Sequence, residues 1–171
     1  MSQKNYYYFV EGQDDKKIVS TLKTDYRKIC AGKVQVFNVV QEKISVMHLR
    51  NLKQNTIVIL VFDVDTDNVD ILKENINFLK RQSIIKEVIC VPQVKNLEDE
   101  FMRSCNIKQI KELTNSKSNR EYKSDLIKIT NLKNRLDKCK FDFDKFWIKK
   151  PENIFRDIPN ESSKIRIKDK M

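Results

Sequence analysis

Thr56 to Phe62 reads TIVILVF, an unbroken apolar and mostly β-branched run that carries no charge. A strand that meets solvent on one face alternates polar with apolar residues, whereas a strand covered on both faces has no reason to. The run therefore predicts the central strand of a parallel sheet, with crossover helices packed on either side. Tyr6 to Val10 is a second aromatic and β-branched run, ending at Glu11-Gly12, and predicts a buried strand that leaves the sheet at a tight turn. Asp14 and Asp15 then open a helix carrying Ile18, Val19, Leu22, Tyr26 and Ile29 at three- and four-residue spacing, with Gly32 as its stop. Val34 and Val36, with Phe37 at the end, suit another strand, and Ile44 to Leu52 suits a helix or irregular crossover. After the central run, Ile71, Leu72, Ile76 and Leu79 mark one helix face, and Ile84 to Val91 is a strand stopped by Pro92. The alternation of strands and helices predicts an open, mainly parallel α/β sheet with helices on both faces.

Beyond Pro92 the pattern becomes helical and basic. Leu97, Phe101 and Met102 begin a helix, and Leu126, Ile127, Ile129, Leu132 and Leu136 suggest one or two more after the polar break from Thr114 to Asn119. From Ser116 onward there are 16 basic and 9 acidic side chains, against 18 and 15 before it, so most of the net charge of +10 lies in the last third. This divides the chain into an α/β unit, 1–115, and a helical basic extension, 116–171, whose last stretch from Lys149 reads as an irregular tail. A basic surface collects phosphate-rich partners, nucleic acid first, although solubility alone also accounts for it. Lys149, Lys150, Lys164, Arg166 and Lys168 are the candidate phosphate contacts, in a stripe that also includes Arg156 and Lys170. Phe141, Phe143, Phe146 and Trp147 are spaced for a helix packed on the core rather than for stacking on bases.

Hydrophobic residues make up 40% and charged residues 34% of the chain, a globular mixture rather than a disordered one. At 171 residues a single domain buries roughly 70% of its unfolded surface, so neither disulfides nor structural metals are needed. Cys30, Cys90, Cys105 and Cys139 show no paired spacing, and His48 is the only histidine, which argues against zinc. The cysteines suit reduced, buried side chains of a cytoplasmic protein. The start, MSQKNYYYFVEG, lacks a charged-then-apolar leader, and the longest apolar run is too short to span a bilayer. The expectation is a soluble protein with no membrane partner.

The acids fall at the ends of the strands. Glu11 follows the first, Asp63, Asp65 and Asp67 follow the central one, and Glu98, Asp99 and Glu100 come shortly after the last. In an open parallel sheet, ligands bind outside the carboxyl ends of the strands, so these groups converge on one rim. Two like charges about 4 Å apart repel by roughly 4 kcal/mol at an effective dielectric near 20, a cost that a cation among them removes. Oxygen donors with no His or Cys beside them point to Mg²⁺ or Mn²⁺. Taken singly, each acid is as well explained as a solvated loop residue or helix cap. Glu11 together with Asp63 and Asp65 is not, because two apolar strands deliver them to the same place.

FVEGQDD at Phe9 to Asp15, followed by VFDVD at Val61 to Asp65, resembles the Toprim domain of bacterial primases, type IA and II topoisomerases, ribonuclease M5 and the overcoming-lysogenization-defect nucleases. The shared pattern is a strand ending in Glu-Gly, an Asp opening the next helix, and a later strand ending in Asp-x-Asp. It covers the chain from Tyr6 to about Glu100. The resemblance implies a Rossmann-like sheet, Glu11 as general acid/base or metal ligand, Asp63 and Asp65 as Mg²⁺ ligands, and Asp15 as ligand to a second metal. It also implies Gly12 as a backbone turn beneath the site, with Asp67 and Glu98 or Asp99 as further metal ligands. Where many members have Gly after Asp-x-Asp this chain has Asn68, which tolerates left-handed backbone. The implied function is Mg²⁺-dependent hydrolysis of phosphodiester bonds in DNA or RNA, in RNA processing or phage defence, with an ATPase or other protein as a companion.

Other readings compete for these residues. Asp63, Asp65, Asp67 and Glu74 match positions of a calcium EF-hand loop, but a strand precedes them where that motif needs a helix, and its glycine is Asn68. VFDVDT is also similar to the nucleophile motif of haloacid-dehalogenase phosphatases, a reading that leaves Glu11-Gly12 unexplained. The rival from another class is a non-catalytic Toprim-like module that binds nucleic acid or protein.

Overall fold

The computed structural model describes residues 4–168; Lys170 of the basic stripe lies outside them. Four strands, β1 (Asn5–Val10), β2 (Gly32–Val36), β3 (Thr56–Asp63) and β4 (Ile85–Gln93), form one sheet in the order β2-β1-β3-β4. Every pairing is parallel, so the fold is an open, Rossmann-like α/β sheet. The apolar run is indeed an interior strand, and all of β3 is buried.

Side chains alternate across a strand, and the two faces of β3 divide accordingly. Ile57, Ile59 and Val61 face a core made with α1 (Gln13–Thr24), α4 (Leu97–Ser104), α6 (Tyr122–Lys128) and α7 (Leu132–Lys138). The small α5 (Lys111–Thr114) adds Leu113 to that core. Val58, Leu60 and Phe62 face a second core closed by α2 (Val46–Leu49) and α3 (Asp70–Lys80). Burying a Leu, Ile or Phe side chain stabilises by about 1.5–3 kcal/mol, so a polar substitution in β3 would disturb two cores at once.

Several local expectations are corrected. The first helix ends at Thr24, with Asp25 as its cap, and not at Gly32. Tyr26 and Ile29 lie beyond it, and Ile29 instead bridges to Arg166. Gly32 is a strand residue opposite Tyr6, where a Cβ would land on the Tyr6 carbonyl. Gly12 is extended, with φ −141° and ψ −178°, so it makes no special turn; a Cβ there would crowd the Asp14 carboxylate at 2.7 Å. Asn68 has no left-handed backbone, and its Oδ1 instead accepts the Asp70 N–H at 2.8 Å. Pro92 does not stop β4, which continues to Gln93; proline is tolerated because β4 is the edge strand.

The described C-terminal stretch is irregular, as expected, with only the short 3-10 turns Asn153–Phe155 and Ser162–Lys164, but it is packed on the domain rather than loose. It passes around the β4 edge, placing Phe155 and Ile158 in the α3-side core and Ile165 in the other. Glu161 closes that edge, its N–H donating to the Cys90 carbonyl at 2.9 Å while its Oε2 accepts the Cys90 N–H at 3.1 Å. Phe146 and Trp147 are wholly buried, as core packing requires, but they follow a 3-10 turn over Phe143–Lys145 rather than lying on an α-helix. None of the four cysteines is in a disulfide. His48 accepts the Ser45 N–H at 3.0 Å and packs on Phe37, a local structural role. No described helix is long and apolar enough to cross a membrane.

Replacing Gly32 with Ala is expected to lower stability by about 1–3 kcal/mol, because β1 and β2 must part to admit the methyl group. Urea unfolding measures it, and an unchanged midpoint would show that the strands yield freely.

Candidate functional site

β1 and β3 lie side by side with Val10 opposite Val61, so Glu11 leaves its strand next to the end of β3. The chain continues from β1 to β2 on one side and from β3 to β4 on the other. This is the switch point of an open α/β sheet, where the loops after the strands part and leave a crevice. Glu11 Oε2 accepts the Asp63 backbone N–H at 3.2 Å, a direct contact across the switch. Asp15, in the first turn of α1, comes to the same place, and Asp63 pairs in register with Gln93, the last residue of β4.

Gln93 ties the acids together. Its Nε2 donates to Asp15 Oδ1 at 2.7 Å and to Asp63 Oδ1 at 2.9 Å, and its Oε1 accepts the Trp147 indole N–H at 3.0 Å. The second Asp15 oxygen accepts the Gly12 N–H at 2.9 Å. Asp15, Asp63 and Gln93 are all buried, so the cluster sits beneath the rim, while Asp65 and Asp67 are exposed on the loop above.

Burial and mutual repulsion set the electrostatics. Desolvation, then the charges of Asp15 and Glu11, push the Asp63 carboxyl up to about 9. Desolvation, then Asp14, raise Asp15 to about 7. Glu11 is raised chiefly by burial, with the Asp63 N–H working against it and Asp65 adding to it. The charge of Glu11 thus acts on Asp63, and that of Asp65 on both. Asp67 makes no described contact with them, and Glu74 of the EF-hand match pairs with Lys43 at 2.6 Å.

A second tier comes from the extension. Lys123 Nζ lies 3.3 Å from Glu98 and 3.9 Å from Asp14, with its side chain 57% exposed. These carboxylates raise its pKa against the opposing effect of burial. Glu98 is therefore linked to the site through Lys123. Glu100 is wholly buried and engaged in structural contacts, accepting the Val94 and Trp147 N–H groups at 3.0 and 2.9 Å and pairing with Arg103 at 2.8 Å. The Tyr122 hydroxyl is buried with no hydrogen-bond partner, in the field of Glu98, Asp14, Asp15 and Asp63.

Sequence reasoning gave Gln93, Trp147, Tyr122 and Lys123 no part in this site. For Gln93 a signal existed: it is the polar end of an apolar strand aligned with the one ending at Asp63. The other three lie in the extension and carry no local mark.

Two candidate phosphate contacts are corrected. Arg166 donates to the Phe143 and Phe146 carbonyls and lies 4.0 Å over the Phe143 ring, which fixes it as a structural cation. Lys164 is bonded to Glu87 at 2.6 Å and Glu161 at 2.7 Å, so its charge is already met. Lys149, Lys150 and Lys168 are exposed.

The donors match a hard cation in kind: carboxylates only, in charge excess, beside an orphaned buried hydroxyl. Among the described residues, however, no three His, Cys, Asp or Glu side chains are already drawn around one point, so the ligand shell is not closed. A cleft of about 300 Å³ lined by Lys4, Tyr6, Gly32 and Lys53 lies at the opposite end of the strands and has no part in this site.

The raised acids bind protons more tightly in the folded chain than in the unfolded one, so without divalent ions they weaken the fold as pH climbs from about 4 through 7 for Asp15 and 9 for Asp63. Asp63→Asn is expected to match the parent at pH 4, exceed it at pH 8, and flatten the profile; parallel urea midpoints across that range would refute the coupling. Comparison with protein-family models, curated proteins and solved structures gives no match for this chain.

Proposed function

We propose that this chain is a Toprim-type, Mg²⁺- or Mn²⁺-dependent nuclease that hydrolyses phosphodiester bonds in DNA or RNA. The observation that carries the reading is the Glu11–Asp63 contact at the switch point, with Asp65 above it. Glu11, Asp63 and Asp65 would hold the ion. When bound, such an ion polarises the phosphate and lowers the pKa of its water. Glu11, with a raised pKa and only one oxygen in a described hydrogen bond, suits the taking or giving of a proton during hydrolysis. Lys123 keeps a positive head beside the acids, where it can meet phosphate charge. Exposed Lys149, Lys150 and Lys168 would hold neighbouring phosphates, which position a strand without reading its sequence. RNA processing and phage defence, with an ATPase or other protein as companion, are the settings this chemistry suits.

The open ligand shell favours a second reading, a non-catalytic module that binds nucleic acid or protein. A divalent-metal screen over single- and double-stranded DNA and RNA separates them. Cleavage is expected with Mg²⁺ or Mn²⁺, and Glu11→Gln or Asp63→Asn should each slow it by about 10²-fold or more. Binding without cleavage under every metal would favour the module, and turnover of p-nitrophenyl phosphate alone would favour a phosphatase.

In the same assays, alanine at Lys149, Lys150 and Lys168 is expected to flatten the salt dependence of binding, each lost contact reducing the slope by about 0.7–0.9. Lys164→Ala should leave the slope unchanged, and the reverse pattern would relocate the nucleic-acid surface.

A further inference from the structure

Gln93 is wholly buried, and its amide orientation is dictated by its neighbours. An indole N–H can only donate, so the Gln93 oxygen must face Trp147 and the –NH₂ must face Asp15 and Asp63. Turned over, the amide would set N–H against N–H and its carbonyl against two carboxylates. Trp147 is itself fixed. Its backbone N–H donates to Glu100 at 2.9 Å, its carbonyl accepts from Asn160 at 2.8 Å and Ser162 at 2.7 Å, and its φ is +59°. A bulky residue keeps that backbone only where its surroundings impose it.

The two carboxylates differ in what they have left to offer. Both oxygens of Asp15 are engaged, by Gln93 and by the Gly12 N–H, and the residue is 3% exposed. Asp63 uses only Oδ1 and Glu11 only Oε2 in described hydrogen bonds, while Asp65 is exposed. The amide hydrogens of Gln93 therefore stand where a cation bridging Asp15 and Asp63 would have to sit.

We propose that Gln93, held by Trp147, takes the place of a second cation, so that the acidic site accepts a single divalent ion on Glu11, Asp63 and Asp65. Asp15 is then a positioning residue rather than a ligand. This rests on the cation-dependent reading above and deepens it. It also gives the C-terminal extension a part in the site, because Trp147 orients the amide that orients the acids.

The test is Mn²⁺ uptake by the full chain, followed by loss of the free-ion electron paramagnetic resonance signal. One ion per chain is expected, with Asp15→Asn still taking one at an affinity lowered by about 10–100-fold and Asp63→Asn losing uptake. Two ions per chain, one of them lost in Asp15→Asn, would overturn the inference while leaving the nuclease reading intact. No uptake by the unaltered protein would end the cation reading itself, and this inference with it.

Discussion

The parallel pairing of β1 with β3 is the constraint from which the rest follows. β3, buried along its length, and β1, buried over Tyr8–Val10, cannot slide past each other by one residue without turning their apolar side chains to the wrong core. The register that puts Val10 opposite Val61 therefore also settles where Glu11 and Asp63 emerge. Hydrophobic packing, indifferent to chemistry, places two carboxyl groups together that would repel if both were charged in isolation.

That repulsion is managed at several levels. Backbone N–H groups of Gly12 and Asp63 donate to Asp15 and Glu11, the Gln93 amide spans Asp15 and Asp63, and Lys123 lies beside Asp14 and Glu98. Even so, Asp15 and Asp63 hold their protons far above the ordinary carboxylate range, so these donors do not fully balance the burial. A site left with such excess can bind protons or a cation, and the exchange between the two links pH to metal affinity.

The extension is part of this arrangement. Tyr122, Leu126, Leu132, Leu136, Phe146 and Trp147 share one core with the sheet, and the segment after Trp147 crosses the β4 edge to reach the other core. Covering an edge strand removes a row of unpaired backbone groups, and here the same chain segment secures the indole that holds Gln93.

Much of the fold was legible in the residues, because apolar periodicity is a local signal: TIVILVF gave the interior strand, and Glu11, Asp63 and Asp65 stood at strand ends in the sequence itself. Boundaries set by turns were less so, as Gly32 and Pro92 show, since each is explained by its sheet neighbours rather than by what precedes it. Arg166 looked like a phosphate contact because charge is visible in a sequence and hydrogen-bond partners are not. What the sequence determined alone was which strands are buried and which acids follow them. Only the tertiary structure decided that Gln93 would stand between Asp15 and Asp63, with Trp147, 54 residues further on, fixing its orientation; partners that distant meet through packing of the whole chain and leave no periodicity to read.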